Sequence, residues 1–387
     1  MKDVANDVRR PVHEPERPSR RWLGILATLL AMALVYVGSV AGFAYLRLQG
    51  NVDRHDISDY LEGDRPDRDG EEVPGPFKEG QPVNILVIGS DARQGEADID
   101  GAGEAGEVTG MRSDTTMLVH VSADRNRAEI VSIPRDMLVD IPSCRLPSGA
   151  QTAPQYNAMF NSAFSLGGQT GDTGSAAACT IRTVEALTDI YIDGFAVVDF
   201  ASFQSFVDAL GGVDMCFNQK LTDKTTGLDI APGCQRLAGE EALQLARARK
   251  GLTGGSDIGR MDRQQDLVKA IVDEAVSKNI LTSIPSLYRF VDVVSQSVIT
   301  DSELGDLDTL SSFGYSLRGI SSNNIFAVTM PWLPAGNRLL PAPLAETVWE
   351  ALREDRPLEE VITRDGQAVP NATDEPTEQT TWGAREP

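Results

Sequence analysis

From Trp22 to Leu46 the chain reads WLGILATLLAMALVYVGSVAGFAYL, twenty-five residues without one charged side chain. About 20 apolar residues are enough for a helix to cross the hydrocarbon core of a bilayer. A backbone in that core must satisfy its own N–H and C=O groups, so the run is expected to be a membrane-spanning helix. It is longer than the apolar region of a cleaved signal peptide and leads straight into Arg47, which makes it an uncleaved anchor. Lys2, Arg9, Arg10, Arg17, Arg20 and Arg21 precede it. The positive-inside rule puts residues 1–21 in the cytoplasm and everything after the span outside the cell membrane, a single-pass arrangement. Trp22 and Tyr45 fit the aromatic belts at the two interfaces.

This topology sets the redox chemistry of the external part. Cys144, Cys179, Cys216 and Cys234 all lie beyond the span. An even number in an oxidising compartment argues for two disulfides. Three pairings are open; the nearest-neighbour closures, Cys144–Cys179 and Cys216–Cys234, are favoured over the others and over four buried thiols. No C-x-x-C pair marks a zinc site. A formal net charge of -22 and a pI near 4.5 exclude a nucleic-acid binder, which needs a basic surface. Against that acidic background, ARARKGLTGGSDIGRMDRQQ (246–265) gathers Arg247, Arg249, Lys250, Arg260 and Arg263. A local cationic cluster in an acidic chain points to one specific anion.

Residues 1–21 are polar and Pro-rich and are expected to be disordered, and 22–46 are the anchor. Residues 47–81, charged and rich in Gly and Pro, read as an external spacer. A folded domain is expected over 82–363, and 364–387 has the composition of a disordered tail. Within the domain, NILVIGS, TTMLVHVS, AEIVSIP, FAVVDF and IFAVTM read as buried strands, the second and third joined as a hairpin through ADRN. ASFQSFVDALGG, LAGEEALQLAR, DRQQDLVKAIVDEAVSK, SIPSLYRFVDVVSQSV and SELGDLDTLSSFGYSL carry helical periodicity. Strands mixed with helices imply an α/β fold with a central sheet covered on both sides.

Chemistry-bearing residues cluster at strand ends. Asp91 follows the first strand, Arg112 and Asp114 precede the second, and Arg135 and Asp136 follow the third, with Pro134 fixing the exit. If those strands are neighbours, carboxylates and guanidiniums meet at one sheet edge. Carboxylate oxygens suit a hard cation such as Mg²⁺. Arg260, Arg263 and Gln264 fall on one side of a helix. Arg247 and Arg249 converge on a ligand only if their helix stops near Arg247. The plain alternatives are turn capping at the first set and a solvated, ion-paired face at the second. His13, His55 and His120 offer no Ser-His-Asp triad; His120, in mid-strand, reads as a packed residue.

NILVIGSD, RSDTTMLVHV, VSIPRD, YNAMFNSAFSLGG, VVDFASFQSFVDALGGVDM, LAGEEALQLARARK and DIGRMDRQQ, in that order across Pro82 to Ser277, resemble the LytR-CpsA-Psr family of cell-wall glycopolymer ligases. The resemblance implies a three-layer α/β/α sandwich with a central mixed sheet and a long apolar groove for a polyprenyl chain. It implies transfer of a glycopolymer from a polyprenyl-pyrophosphate carrier to peptidoglycan, leaving a phosphodiester. By position, Asp91 and Asp114 would hold Mg²⁺ (or Mn²⁺). Arg135, Arg247, Arg249, Arg260 and Gln264 would contact the pyrophosphate, with Arg112, Arg263 and Asp136 as further substrate-binding positions. The general base is unassigned. The Gly- and acid-rich stretch between Asp91 and Asp114 departs from the family pattern, and the four cysteines look like an actinobacterial variation. A sensor or scaffold for lipid pyrophosphates and a lipid pyrophosphatase are the rival readings.

Overall fold

The structure, a computed structural model, describes residues 20–63, 65–67, 77, 80–90, 111–248, 257–277, 284–364 and 366–369. The chain divides into two units, 1–48 and 49–387. In the first, the uncharged run forms the body of a helix, Arg20–Asn51. Its stretch Ile25–Asn51 is long and apolar enough to cross a membrane by length and composition. Leu26, Leu34 and Val35 each show more than 60% of their surface. That is a surface built for an apolar surrounding.

The second unit is organised by a seven-stranded mixed sheet. Its spatial order is Asp53–His55, Val298–Asp301, Gly194–Val198, Val83–Ser90, Ser113–Val121, Ala128–Ser132 and Ile325–Thr329. Val83–Ser90 pairs antiparallel with Ser113–Val121 and parallel with Gly194–Val198. The expected hairpin is present, Ser113–Val121 running antiparallel to Ala128–Ser132. Alternation along the strands decides which layer each residue meets. Leu86, Ile88, Leu118 and Val131 pack on one face against Phe164, Ala177, Ile181, Val348 and Trp349. Those come from helices Ser162–Gly167, Thr173–Thr188 and Leu344–Arg353. On the other face Met117, Ile130, Ile325 and Ala327 meet Phe313, with Val268 and Val272 alongside. These belong to helices Leu307–Ser316 and Asp257–Ser277. The result is the expected three-layer α/β/α sandwich.

A third apolar cluster joins helices Phe200–Ala209 and Gly239–Arg247 to a small ribbon, Val213–Phe217 with Gly233–Leu237. The first of these helices stops at the expected Gly-Gly pair. Gly211 and Gly212 take φ of 76° and 92°, a left-handed region that glycine enters without a Cβ clash. Both favoured disulfides are present. Cys144–Cys179 is buried in the main core, and Cys216–Cys234 links directly opposed ribbon residues.

Part of the expected spacer (47–81) belongs to the fold. Asp53–His55 is the edge strand, parallel to Val298–Asp301, and Ile57 and Leu61 are buried in the main core. Arg65 Nε donates to Glu185 at 3.1 Å. At the other end, Val369 N–H donates to Val361 O, so the chain folds back inside the stretch expected as a tail. Residues 1–19 and 370–387, expected to be disordered, lie outside the described residues. His120 is the packed residue it was expected to be: it is fully buried, Nδ1 lying 2.7 Å from Asn84 Oδ1 and Nε2 3.1 Å from Asp355 Oδ1.

Candidate active site

The strand order brings four of the expected residues, Arg112, Asp114, Arg135 and Asp136, to one edge. Val83–Ser90 ends where Ser113–Val121 begins, and Ser90 pairs with Ser113. Ala128–Ser132 runs antiparallel to that second strand and so exits at the same edge. Pro134 then turns the chain, and its carbonyl accepts from Met137 N–H at 3.0 Å. Asp114 and Arg135 therefore meet: Arg135 Nη1 donates to Asp114 Oδ1 at 2.7 Å. Their side chains are 19% and 25% exposed, Arg135 first, buried enough for a charge-assisted bond to hold and open enough for a ligand to reach. Arg135 Nε lies 3.8 Å from Asp136 Oδ2.

The helix Asp257–Ser277 closes the edge from the second layer. Arg260, 3% exposed, donates from Nη2 to the Asp114 carbonyl at 3.2 Å. One turn on, Gln264 accepts from Thr115 Oγ1 at 3.2 Å and donates to Ala246 O at 3.0 Å. Gln265, to which the sequence motifs give no role, donates to Ser132 Oγ at 2.9 Å and to Thr329 Oγ1 at 3.3 Å, fixing the helix across two strands. Arg263 Nη2 donates to Ala248 O at 2.7 Å. Burial lowers the pKa of Arg263, with Asp262 and Asp223 opposing, yet a guanidinium stays charged at working pH. Its described bond ties the helix to the segment that carries Arg247.

Helix Gly239–Arg247 does end where convergence requires, Ala248 adopting extended backbone (φ -63°, ψ 133°). Arg247 stacks over the Phe200 ring, 4.6 Å from its centroid. Phe200 opens the helix that follows Gly194–Val198, a strand whose end lies at the same edge because it is parallel to Val83–Ser90. Arg112 stands at the strand entry, its carbonyl accepting from Ser90 Oγ at 3.3 Å. Asp91 and Arg249 lie outside the described residues, as does the acid-rich stretch after Asp91.

An apolar strip leads from mid-sheet to this edge. Leu86, Ile88 and Leu118 are completely buried, but their sequence neighbours Ile85, Val87 and Val119 are partly exposed although their strands are central. Ile85 pairs with Val119, and Gly89 with Thr115, beside Gln264. Ile85, Val87 and Val119 pack against the second apolar cluster but stay partly exposed, so this face of the central strands is incompletely covered.

Among the described residues no group of three or more His, Cys, Asp or Glu encloses a metal ion. Asp114, a quarter exposed, supplies hard oxygen at a wet edge. That fits an ion such as Mg²⁺, which keeps much of its water and completes its shell from one or two carboxylates and phosphate.

The chain matches the model of the LytR_cpsA_psr family over residues 44–349. It is 29% identical over 328 residues to the cell wall biosynthesis protein LcpA of Corynebacterium glutamicum, covering 79% of this chain and 60% of that protein. It is 28% identical over 313 residues to the polyisoprenyl-teichoic acid–peptidoglycan teichoic acid transferase TagT of Bacillus subtilis, covering 79% and 86%. The chain thus spans less than two thirds of the Corynebacterium protein. In structure it is similar to the LytR-Csp2A-Psr enzyme from Actinomyces oris, with TM-score 0.53, 18% identity, and 78% and 96% of the two chains covered.

Proposed function

The chain belongs to the LytR_cpsA_psr family, and from that premise we propose that it is a membrane-anchored transferase. It moves a glycopolymer from a polyprenyl-pyrophosphate carrier to peptidoglycan. The observation that carries this reading is the row Arg260–Asp114–Arg135, three charged residues from different elements held within hydrogen-bond reach at the mouth of an apolar strip. A lipid-linked pyrophosphate has that division of character: a long apolar chain and a compact polyanion.

In this reading the polyprenyl chain lies along Ile85, Val87 and Val119, and the pyrophosphate meets Arg135, Arg260 and Arg247, with Arg249 following. Guanidinium forks match phosphate oxygens and remain charged throughout the reaction. The acceptor hydroxyl attacks the phosphorus that bears the glycan. The new P–O bond forms as the bond to polyprenyl phosphate breaks, and the hydroxyl proton passes to a carboxylate or water at the edge. Phosphoryl transfer gains most from alignment and from stabilising charge on the transferring group. Fixed guanidiniums at a partly buried edge supply both. Asp114, with Asp91, would hold Mg²⁺, which would neutralise phosphate charge when bound. The Arg20–Asn51 helix, set in the cell membrane with the domain outside, keeps the enzyme beside a membrane-bound donor and raises its effective concentration.

The test uses labelled lipid-linked donor with and without peptidoglycan fragments. Label joined to the fragments supports the transferase. Release without acceptor makes the protein a pyrophosphatase, and binding without turnover makes it a sensor; either result overturns the proposal.

A further inference from the structure

Arg338 lies outside every motif in the sequence, yet it reaches the site. It starts the second strand of the hairpin Trp332–Ala335/Arg338–Pro341, whose turn contains Gly336 at φ 65°. The hairpin is fastened to the loop after Pro134. Met137 bridges Leu339, and Leu339 N–H donates to Asp136 O at 3.3 Å. Arg338 Nη1 consequently stands 3.7 Å from Asp136 Oδ1, whose partner oxygen faces Arg135. Along the edge the order is Arg260, Asp114, Arg135, Asp136, Arg338. The two ends differ: Arg260 is 3% exposed, whereas the Arg338 side chain is 43% exposed. Its Nη1 also reaches Asn337 O at 3.4 Å, and among the described residues nothing accepts from its Nε or Nη2. On the same hairpin Leu333 and Leu340 form a cross-strand pair, 48% and 38% exposed.

Resting on the transferase reading, we propose that Arg338 binds a carboxylate of the acceptor glycan, with Leu333 and Leu340 as an apolar wall for the sugar's C–H face. In-line displacement needs the attacking and leaving oxygens on opposite sides of the phosphorus. Arg260 and the apolar strip occupy one end of the row, so the acceptor enters from the other. There the open Nε/Nη2 edge of a guanidinium forms a fork for a carboxylate. Peptidoglycan is a glycan that carries its free carboxylates on the stem peptides attached to its sugars. In a chain of net charge -22 such an acceptor is repelled except where a cation is presented.

The experiment titrates the full chain in detergent with soluble peptidoglycan fragments and with the same fragments after their carboxylates are converted to carboxamides. Wild type is expected to prefer the native fragments by about tenfold, the usual scale of one charge-assisted contact. Arg338→Gln is expected to abolish the preference and to raise the acceptor KM by a similar factor while the donor KM stays in place. Retention of the preference in Arg338→Gln overturns the inference. So does a raised donor KM with an unchanged acceptor KM, which would make Arg338 a brace for Asp136. The two readings fail separately. Loss of fragment binding in Arg338→Gln, where wild type forms no linked product, upholds the acceptor site and removes the transferase. Normal transfer with normal fragment binding in the variant does the reverse.

Discussion

Arg135 Nη1 donates to Asp114 Oδ1 at 2.7 Å, across a strand boundary and twenty-one positions of chain. The bond orients the guanidinium toward the edge where Arg260 and Arg247 also arrive. A contact of this kind is expected to act on the transition state more than on folding. Arg135→Ala should lower turnover by about 10²–10³, the usual effect of deleting one preorganised charge-stabilising donor. Arg135→Lys should recover part of it, since a point charge replaces a fork. Turnover of a purified lipid-linked donor, with thermal melting as the folding control, checks both. Near-normal turnover by Arg135→Ala would remove this residue from the mechanism.

Metal removal gives a second prediction. Chelation is expected to suppress transfer, and added Mg²⁺ or Mn²⁺ to restore it. Asp114→Asn should weaken Mn²⁺ binding measured directly by paramagnetic resonance, a readout independent of turnover. Asp136→Asn, whose carboxylate lies between Arg135 and Arg338, should leave Mn²⁺ binding unchanged. Equal Mn²⁺ affinity in wild type and Asp114→Asn would take Asp114 out of the metal site.

If the lipid lies along the partly covered face as proposed, adjacent residues should behave oppositely. Leu86→Ala empties a fully packed position and should destabilise the domain by about 2–5 kcal/mol. Val87→Trp points to the partly covered face. It should fold with a smaller loss but raise the KM for long-chain donors far more than for short-chain ones. Denaturant unfolding and a donor-length series separate the effects. A KM unaffected by Val87→Trp at every chain length would place the lipid elsewhere.

The strands and helices legible in the sequence are those whose pattern is local. Val83–Ser90 is an apolar run closed by glycine, and Gly239–Arg247 keeps one apolar stripe. Thr173–Thr188 leaves no such mark because almost all of its residues are buried, so its Ala- and Thr-rich run has no polar face to set a period. Asp53–His55 is a strand only because Val298–Asp301 lies beside it, a pairing that no three-residue window encodes. The site obeys the same rule. Asp114, Arg135 and Arg260 adjoin recognisable strands and helices, and the expected convergence needed only strand adjacency. Arg338 depends on a hairpin bridged to Met137 and leaves no local signal, whereas Gln265 closes the DIGRMDRQQ motif but owes its role to hydroxyls on two distant strands.

The last prediction concerns pH and lies in the cluster around the buried His120. Burial raises the pKa of Asp355, but hydrogen bonds from His120 and the Ala123 N–H, with the charges of His120 and Arg127, outweigh it and hold the carboxyl below its ordinary 3.8. A lowered folded pKa means stability that is complete above the unfolded value and is lost as pH falls through the folded one. Asp355→Asn should therefore cost about 1 kcal/mol near neutrality, the low end for a charged hydrogen bond because the carboxylate is a quarter exposed. That penalty should persist through mildly acidic pH and shrink only below the ordinary carboxylate value. Glu129 beside it has the opposite sign: burial raises its pKa despite His120 and Arg127, so its contribution weakens the fold as pH rises through the folded value. The variant-minus-wild-type difference, from urea unfolding across acidic to neutral pH, is accordingly the readout. A difference that grows as pH falls would refute the assignment of this stability to an ionised Asp355.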